Sequence, residues 1–203
     1  MYNKQSLNRY FLHMKKLLLL LVCFFCIHIT NAQYNATELK LKTGEILQVL
    51  GKLKGNHHFK YKKYNRDKPV KIHFSEIDYV KIQMTRRNTE TYKYVKVAGE
   101  QRMRVLQETM VGDVSLYLHS EDDWQCDMNG FSQWVTYTDY YVKRSNETEA
   151  VHLPNGLFAG PRFREIASDF FQDCEALVEK IQTKEFKVRH ISDIVNFYNL
   201  ECD

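Results

Sequence analysis

Glycine and proline are scarce, eight and three residues in a chain of 203, which excludes a collagen-like repeat and a flexible Gly/Pro-rich linker protein. No internal repeat and no low-complexity segment stands out. The signatures of several enzyme classes are also missing. There is no G-x-S-x-G turn for a nucleophilic serine, no H-E-x-x-H zinc helix and no Gly-rich phosphate loop. What is present is the composition of a folded domain: 44% hydrophobic, 13% aromatic, with 29 Lys+Arg against 25 Asp+Glu.

The charge excess sits at the N-terminus. A mainly apolar stretch over residues 17–29 opens with five leucines after Lys15-Lys16 and ends before Thr30-Asn31-Ala32-Gln33. It is too short to span a bilayer comfortably, and it fits a secretory signal with cleavage before Gln33. Met14 reads as the natural start, with residues 1–13 upstream of it. A retained anchor would have to bury Lys15 and Lys16, which is costly. Lipidation at Cys23 or Cys26 is disfavoured, because Val22 and Phe25 precede them instead of small residues. Removal of residues 1–32 takes away Lys4, Arg9, Lys15 and Lys16 and no acid, leaving 25 basic and 25 acidic residues. A neutral mature chain gives no electrostatic reason to expect nucleic acid as partner.

Three cysteines remain after position 32: Cys126, Cys174 and Cys202. No C-x-x-C occurs among them, which argues against a thioredoxin-like oxidoreductase. In an oxidising compartment Cys174 and Cys202, which flank the C-terminal helical segment, are expected to form a disulfide. Cys126 is then either a buried thiol or an intermolecular partner.

Hydrophobic periodicity divides the remainder. Over 33–84 short alternating runs (Leu39 and Leu41; Phe59 and Tyr61; Val70, Ile72 and Phe74) suggest a small β barrel or meander. A second β-rich block is expected over 91–160, with residues 85–90 as candidate linker, although a single continuous sheet through both blocks also fits, and with the polar, acidic stretch 120–130 as a long loop. From 161 to 203 the period becomes helical: Phe163, Ile166, Ala167, Phe170 and Phe171 mark one helix, a second is expected with Asp173 as N-cap, and Ile191, Ile194, Val195 and Tyr198 mark a third. The fold class is therefore α+β, with an antiparallel β-rich body and about three short C-terminal helices packing on the sheet.

Several strings resemble a group of signal-peptide-bearing exported proteins of Bacteroidetes-type bacteria that carries no known activity. They are Asn31-Ala32-Gln33, Gly112-x-Val114-x-Leu116-Tyr117, and the C-terminal run Asp169-Phe170-Phe171-x-Asp173-Cys174 through Lys184-Glu185-Phe186-Lys187 to Phe197-Tyr198-Asn199-x-x-Cys202. Glu175 stands where similar proteins often have Pro. The resemblance implies export and supplies no activity.

Each candidate site has a plainer reading beside it. His57, His58 and His73 offer imidazoles across a hairpin, but no further ligand type is evident and exposed histidines on basic strands are the simpler account. Glu121, Asp122, Asp123, Asp127 and Asn129 lack the register of a calcium loop. Cys126 with His119 or His152 is the one nucleophile pairing available, and it stands on residue types alone. The lysines of the N-terminal block, interleaved with aromatics, read as the solvent face of a sheet, with an anionic glycan, lipid or nucleic acid as lesser alternatives. Trp124, Phe131 and Trp134 form a candidate recognition surface, with Trp124 expected exposed and Trp134 expected in the core. No catalytic, metal or cofactor-binding set is assigned. The expected function is a non-enzymatic exported module, periplasmic, at the outer-membrane periphery or secreted, binding a protein or glycan partner at the cell envelope, with no nucleic acid and no membrane span after signal removal. The alternatives are a periplasmic hydrolase using dispersed carboxylates and a membrane-anchored envelope protein.

Overall fold

The computed structural model describes residues 34–202 except 56, 127–131 and 157. Residues 1–32, read as a signal, lie outside the described residues, as do Gln33, before which cleavage is expected, and Phe131.

Ten strands form one sheet: β1 (Asn35–Leu41), β2 (Ile46–Lys54), β3 (His58–Lys62), β4 (Val70–His73), β5 (Ile77–Gln83), β6 (Thr89–Val97), β7 (Arg104–Met110), β8 (Val114–Cys126), β9 (Ser132–Arg144) and β10 (Glu149–Leu153). Their order is β10-β9-β8-β7-β6-β5-β1-β2-β3-β4. Three helices follow: α1 (Gly160–Phe170), α2 (Glu175–Gln182) and α3 (Ile191–Glu201). Among the described residues the fold is thus α+β, with a strand-rich body and the helices at the C-terminal end. Among the described residues no helix is long and apolar enough to cross a membrane.

The segment 85–90, read as a linker, instead joins β5 to β6 as a hairpin. Met84 N–H donates to Asn88 O at 2.9 Å, and the Thr85 hydroxyl accepts from the N–H groups of Arg87 and Asn88. Side-chain capping of the turn by threonine is what makes a polar stretch this short structured. Both β blocks therefore belong to a single sheet.

The long strand β6 shares one edge between two partners. Residues 89–92 pair antiparallel with β5, while Lys96 and Val97 pair parallel with Glu149 and Ala150 of β10. The second pairing closes β6–β10 into a ring. Each of those five strands supplies at least one member of a buried cluster, Val95, Val97, Leu106, Tyr117, Tyr141 and Ala150. Burial pushes the Tyr141 phenol up to about 12 and the Tyr117 phenol upward as well.

A second core lies under β1–β5, built on Leu39, Phe59, Phe74 and Val80. Gly51 makes room for it: a Cβ there would sit 2.1 Å from the Phe59 ring, so the strand admits the aromatic only because this position has no side chain. The third and largest core lies between the helices and the outside of the ring, where Val114, Leu116, Val142 and Leu153 meet Phe163, Phe171, Leu177, Ile194 and Val195.

Two clamps hold this layer. Cys174 and Cys202 form the expected disulfide, with Cα atoms 5.6 Å apart across 28 residues. Asn199 on α3 reads the backbone of Val114 at both ends, accepting from its N–H and donating to its carbonyl, each at 2.8 Å. Gly112 is required beside it, since a Cβ there would lie 2.5 Å from the Asn199 amide. Two strings far apart in sequence, around Gly112-x-Val114 and Tyr198-Asn199, therefore meet in space.

Asp173 does not cap α2 as expected. The N-cap is Cys174, without a side-chain cap hydrogen bond. The Asp173 carboxylate instead accepts a bidentate pair from Arg144 on β9, at 2.8 and 2.6 Å, and a further bond from the Tyr198 hydroxyl at 2.6 Å. Arg144 also donates to the Phe170 carbonyl at 2.6 Å and lies over the rings of Phe170 and Tyr198. A guanidinium fork offers more to a carboxylate than one helix N–H does.

Candidate functional site

β8 and β9 are both 13 residues long, and they leave the body of the molecule half-way along. Residues 114–117 are buried, whereas every described residue from Ser120 to Cys126 is exposed. At about 3.4 Å per residue the exposed part of β8 extends about 20 Å. The stretch read as a loop is thus a strand through residue 126. Acidic composition disfavours a strand locally, but continuous pairing with β9, from Val114↔Arg144 to Cys126↔Ser132, overrides it.

Trp124 and Trp134 face each other directly across this hairpin. Their ring centroids are 5.1 Å apart in an edge-to-face arrangement. Trp124 is 53% exposed, as expected; Trp134 is 69% exposed, which corrects its placement in the core. The reason is geometric. Side chains on the tryptophan face continue the row Leu116, Leu118, Ser120 and Asp122, and the helices that bury the near end of that row do not bury the far end. The chain has two tryptophans, so its whole indole content is at this one surface. Tyr137, 45% exposed and opposite Glu121 on the reverse face, adds an aromatic that periodicity alone gave no reason to single out.

The surroundings are acidic. Glu121, Asp122, Asp123 and Asp139 lie on the hairpin, and no lysine or arginine does among its described residues between 118 and 139. Asp122 accepts from the Thr136 hydroxyl at 2.7 Å, and Glu121 pairs with His119 at 2.7 Å. Because Glu121 and Asp123 project to one face and Asp122 to the other, these three carboxylates do not converge on a cation. Asp127 and Asn129, the other members of the calcium reading, lie outside the described residues.

Cys126 is exposed at the hairpin end, with Ser132 donating to its sulfur at 3.4 Å, so the buried-thiol reading is corrected. The nucleophile pairing does not form. His119 is seven residues along the same strand on the opposite face, and His152 lies against Asp139 and Tyr141. The imidazoles of His58 and His73 do pair across β3–β4, 5.3 Å apart. One nitrogen of His73 is taken by Ser75 at 2.6 Å, and among the described residues no group of three or more metal-ligating side chains assembles.

The lysine block does form a sheet face. Lys52, Lys60 and Lys71 stand side by side on β2, β3 and β4. The Lys60 ammonium is held below its ordinary pKa, first by its contact with Lys54, then by desolvation and by the charges of Lys54, Lys71 and Lys52.

A hydrolase with paired carboxylates would need two acids facing one cleft. Four clefts among the described residues contain at most one each, Glu100 in one and Asp78 in another. No protein-family model matches the chain, and neither a curated protein nor a solved structure shows significant similarity to it.

Proposed function

We propose that the chain is an exported, non-enzymatic binding protein that uses the outer half of the β8–β9 hairpin to grip a partner protein at the cell envelope. The observation that carries this reading is the Trp124–Trp134 pair, two large apolar side chains left in water at the end of an exposed strand pair whose shape the core does not need. Tryptophan and tyrosine are the side chains that most often dominate binding energy at interfaces. A rim of carboxylates with no lysine or arginine among the described residues between 118 and 139 favours a partner with cationic residues around an apolar hollow. Export is supported by the signal-like segment ending at Ala32 and by the disulfide, which persists in oxidising compartments.

Both tryptophans report on the same surface, so intrinsic fluorescence is a direct test. Addition of soluble envelope extract is expected to shift the emission to the blue, with the shift abolished by prior protease treatment of the extract and weakened by salt. A shift that survives protease but not glycosidase would contradict a protein partner, and no shift with any extract would contradict the hairpin as the contact surface. An intact mass that begins at Gln33, from protein recovered outside the cytoplasm, is expected; a mass retaining residues 1–32 would contradict cleavage.

A further inference from the structure

Away from the hairpin, a cleft of about 400 Å³ lies between the start of α1 and the connection from α2 to α3. Its floor is apolar: Phe163 is buried, and Phe186 and Val188 are half-buried. Its rim is cationic, formed by Arg164, Lys184, Lys187 and Arg189, and no carboxylate lines it. Among the described residues none of these four cations has an ion-pair partner. Of the two acids adjacent to these cations in sequence, Glu165 does not line the cleft and Glu185 pairs with Lys180 at 2.6 Å. A volume of this size takes a small molecule, and a greasy floor under an uncompensated cationic rim selects one with an anionic head and a short apolar chain.

A second observation is independent of the cleft's shape. Lys184 has φ 66°, the one described non-glycine residue in the left-handed region. It follows the end of α2, with its N–H donating to Ile181 O at 3.2 Å. Glycine is the usual occupant of such a position, because a side chain there is strained. The fold would be better served by glycine, yet a lysine stands there and contributes one of the rim charges. Strained backbone of this kind clusters at ligand-holding sites.

We infer that this cleft binds a small amphiphilic anion, with Lys184 and Lys187 holding the anionic head and Phe163, Phe186 and Val188 covering the chain. The site does not depend on the hairpin reading.

The test uses the full mature protein and calorimetric titration with decyl phosphate below its micelle concentration. Inorganic phosphate and decanol serve as the two half-ligands. Decyl phosphate is expected to bind at least tenfold tighter than either. Lys184→Gly is expected to raise the unfolding temperature while weakening decyl phosphate binding at least fivefold, and Lys187→Gln is expected to weaken it similarly without changing stability. Equal affinity for decanol and decyl phosphate would overturn the role of the rim. Undiminished binding in both variants, or no measurable binding to the wild-type protein, would overturn the site.

Discussion

The two halves of the β8–β9 hairpin are made by the same two strands, in one unbroken register, and have opposite surroundings. In the inner half Val114, Leu116 and Val142 are sealed under the helices, and Tyr117 and Tyr141 are enclosed by the ring of β6–β10. In the outer half both faces meet water, and the largest side chains are the two tryptophans. Hydrophobic residues in the inner half are explained by burial. Those in the outer half are not, since a cross-strand aromatic pair is worth only about 0.5–1.5 kcal/mol beyond its area. The difference shows that an aromatic in an alternating strand is core only where a second layer covers it.

Changes in the covered half should be the costliest. The disulfide closes a 28-residue separation around α2 and α3, and Cys174→Ser with Cys202→Ser is expected to lower unfolding free energy by about 3–4 kcal/mol. Urea denaturation of the double variant checks this, and fluorescence of the tryptophan hairpin in native buffer should remain unchanged. A shift in that emission before unfolding would show that the helical layer and the outer hairpin are coupled.

A smaller effect is expected at the Arg144–Asp173–Tyr198 network, which ties the end of β9 to the helices. Hydrogen bonds from Arg144, opposed by partial burial and helped by Tyr198, hold the Asp173 carboxyl below its ordinary value of 3.8. A lowered folded-state pKa stabilises the fold above the unfolded value, and that contribution disappears as pH falls through the folded one. Stability should therefore drop below about pH 4, and Asp173→Asn should flatten this acid limb. At neutral pH the same variant is expected to lose about 1–2 kcal/mol, discounted because Asp173 is 49% exposed. A pH series of thermal melts for both proteins makes the comparison.

Much of the framework was legible in the residues. Alternation at Phe59 and Tyr61 or Val70 and Ile72 carries the strand period, and Phe163, Ala167 and Phe170 carry the helical one. The cysteine pair was readable by its spacing around the helices. What escaped depended on long-range pairing. Residues 120–126 are acidic and look like loop, and only the partner strand makes them β. The closure of β6 on β10 rests on two residue pairs with no local signal. Asp173 matches a helix cap in sequence, but Arg144, 29 residues earlier, claims its carboxylate. Trp124 is readable as exposed from its polar neighbours, whereas Trp134 is not, because alternation indicates a face and not what covers it. The left-handed backbone of Lys184 has no sequence signature at all.

The smallest stability effect belongs to the outer hairpin, and it bears on the central claim that Trp124 and Trp134 serve contact rather than folding. Urea unfolding of Trp124→Ser with Trp134→Ser, followed by circular dichroism, is expected to show a loss of no more than about 1 kcal/mol. A loss of about 3 kcal/mol or more, the cost of truncating a buried aromatic, would place the pair in the core of the fold and contradict the account.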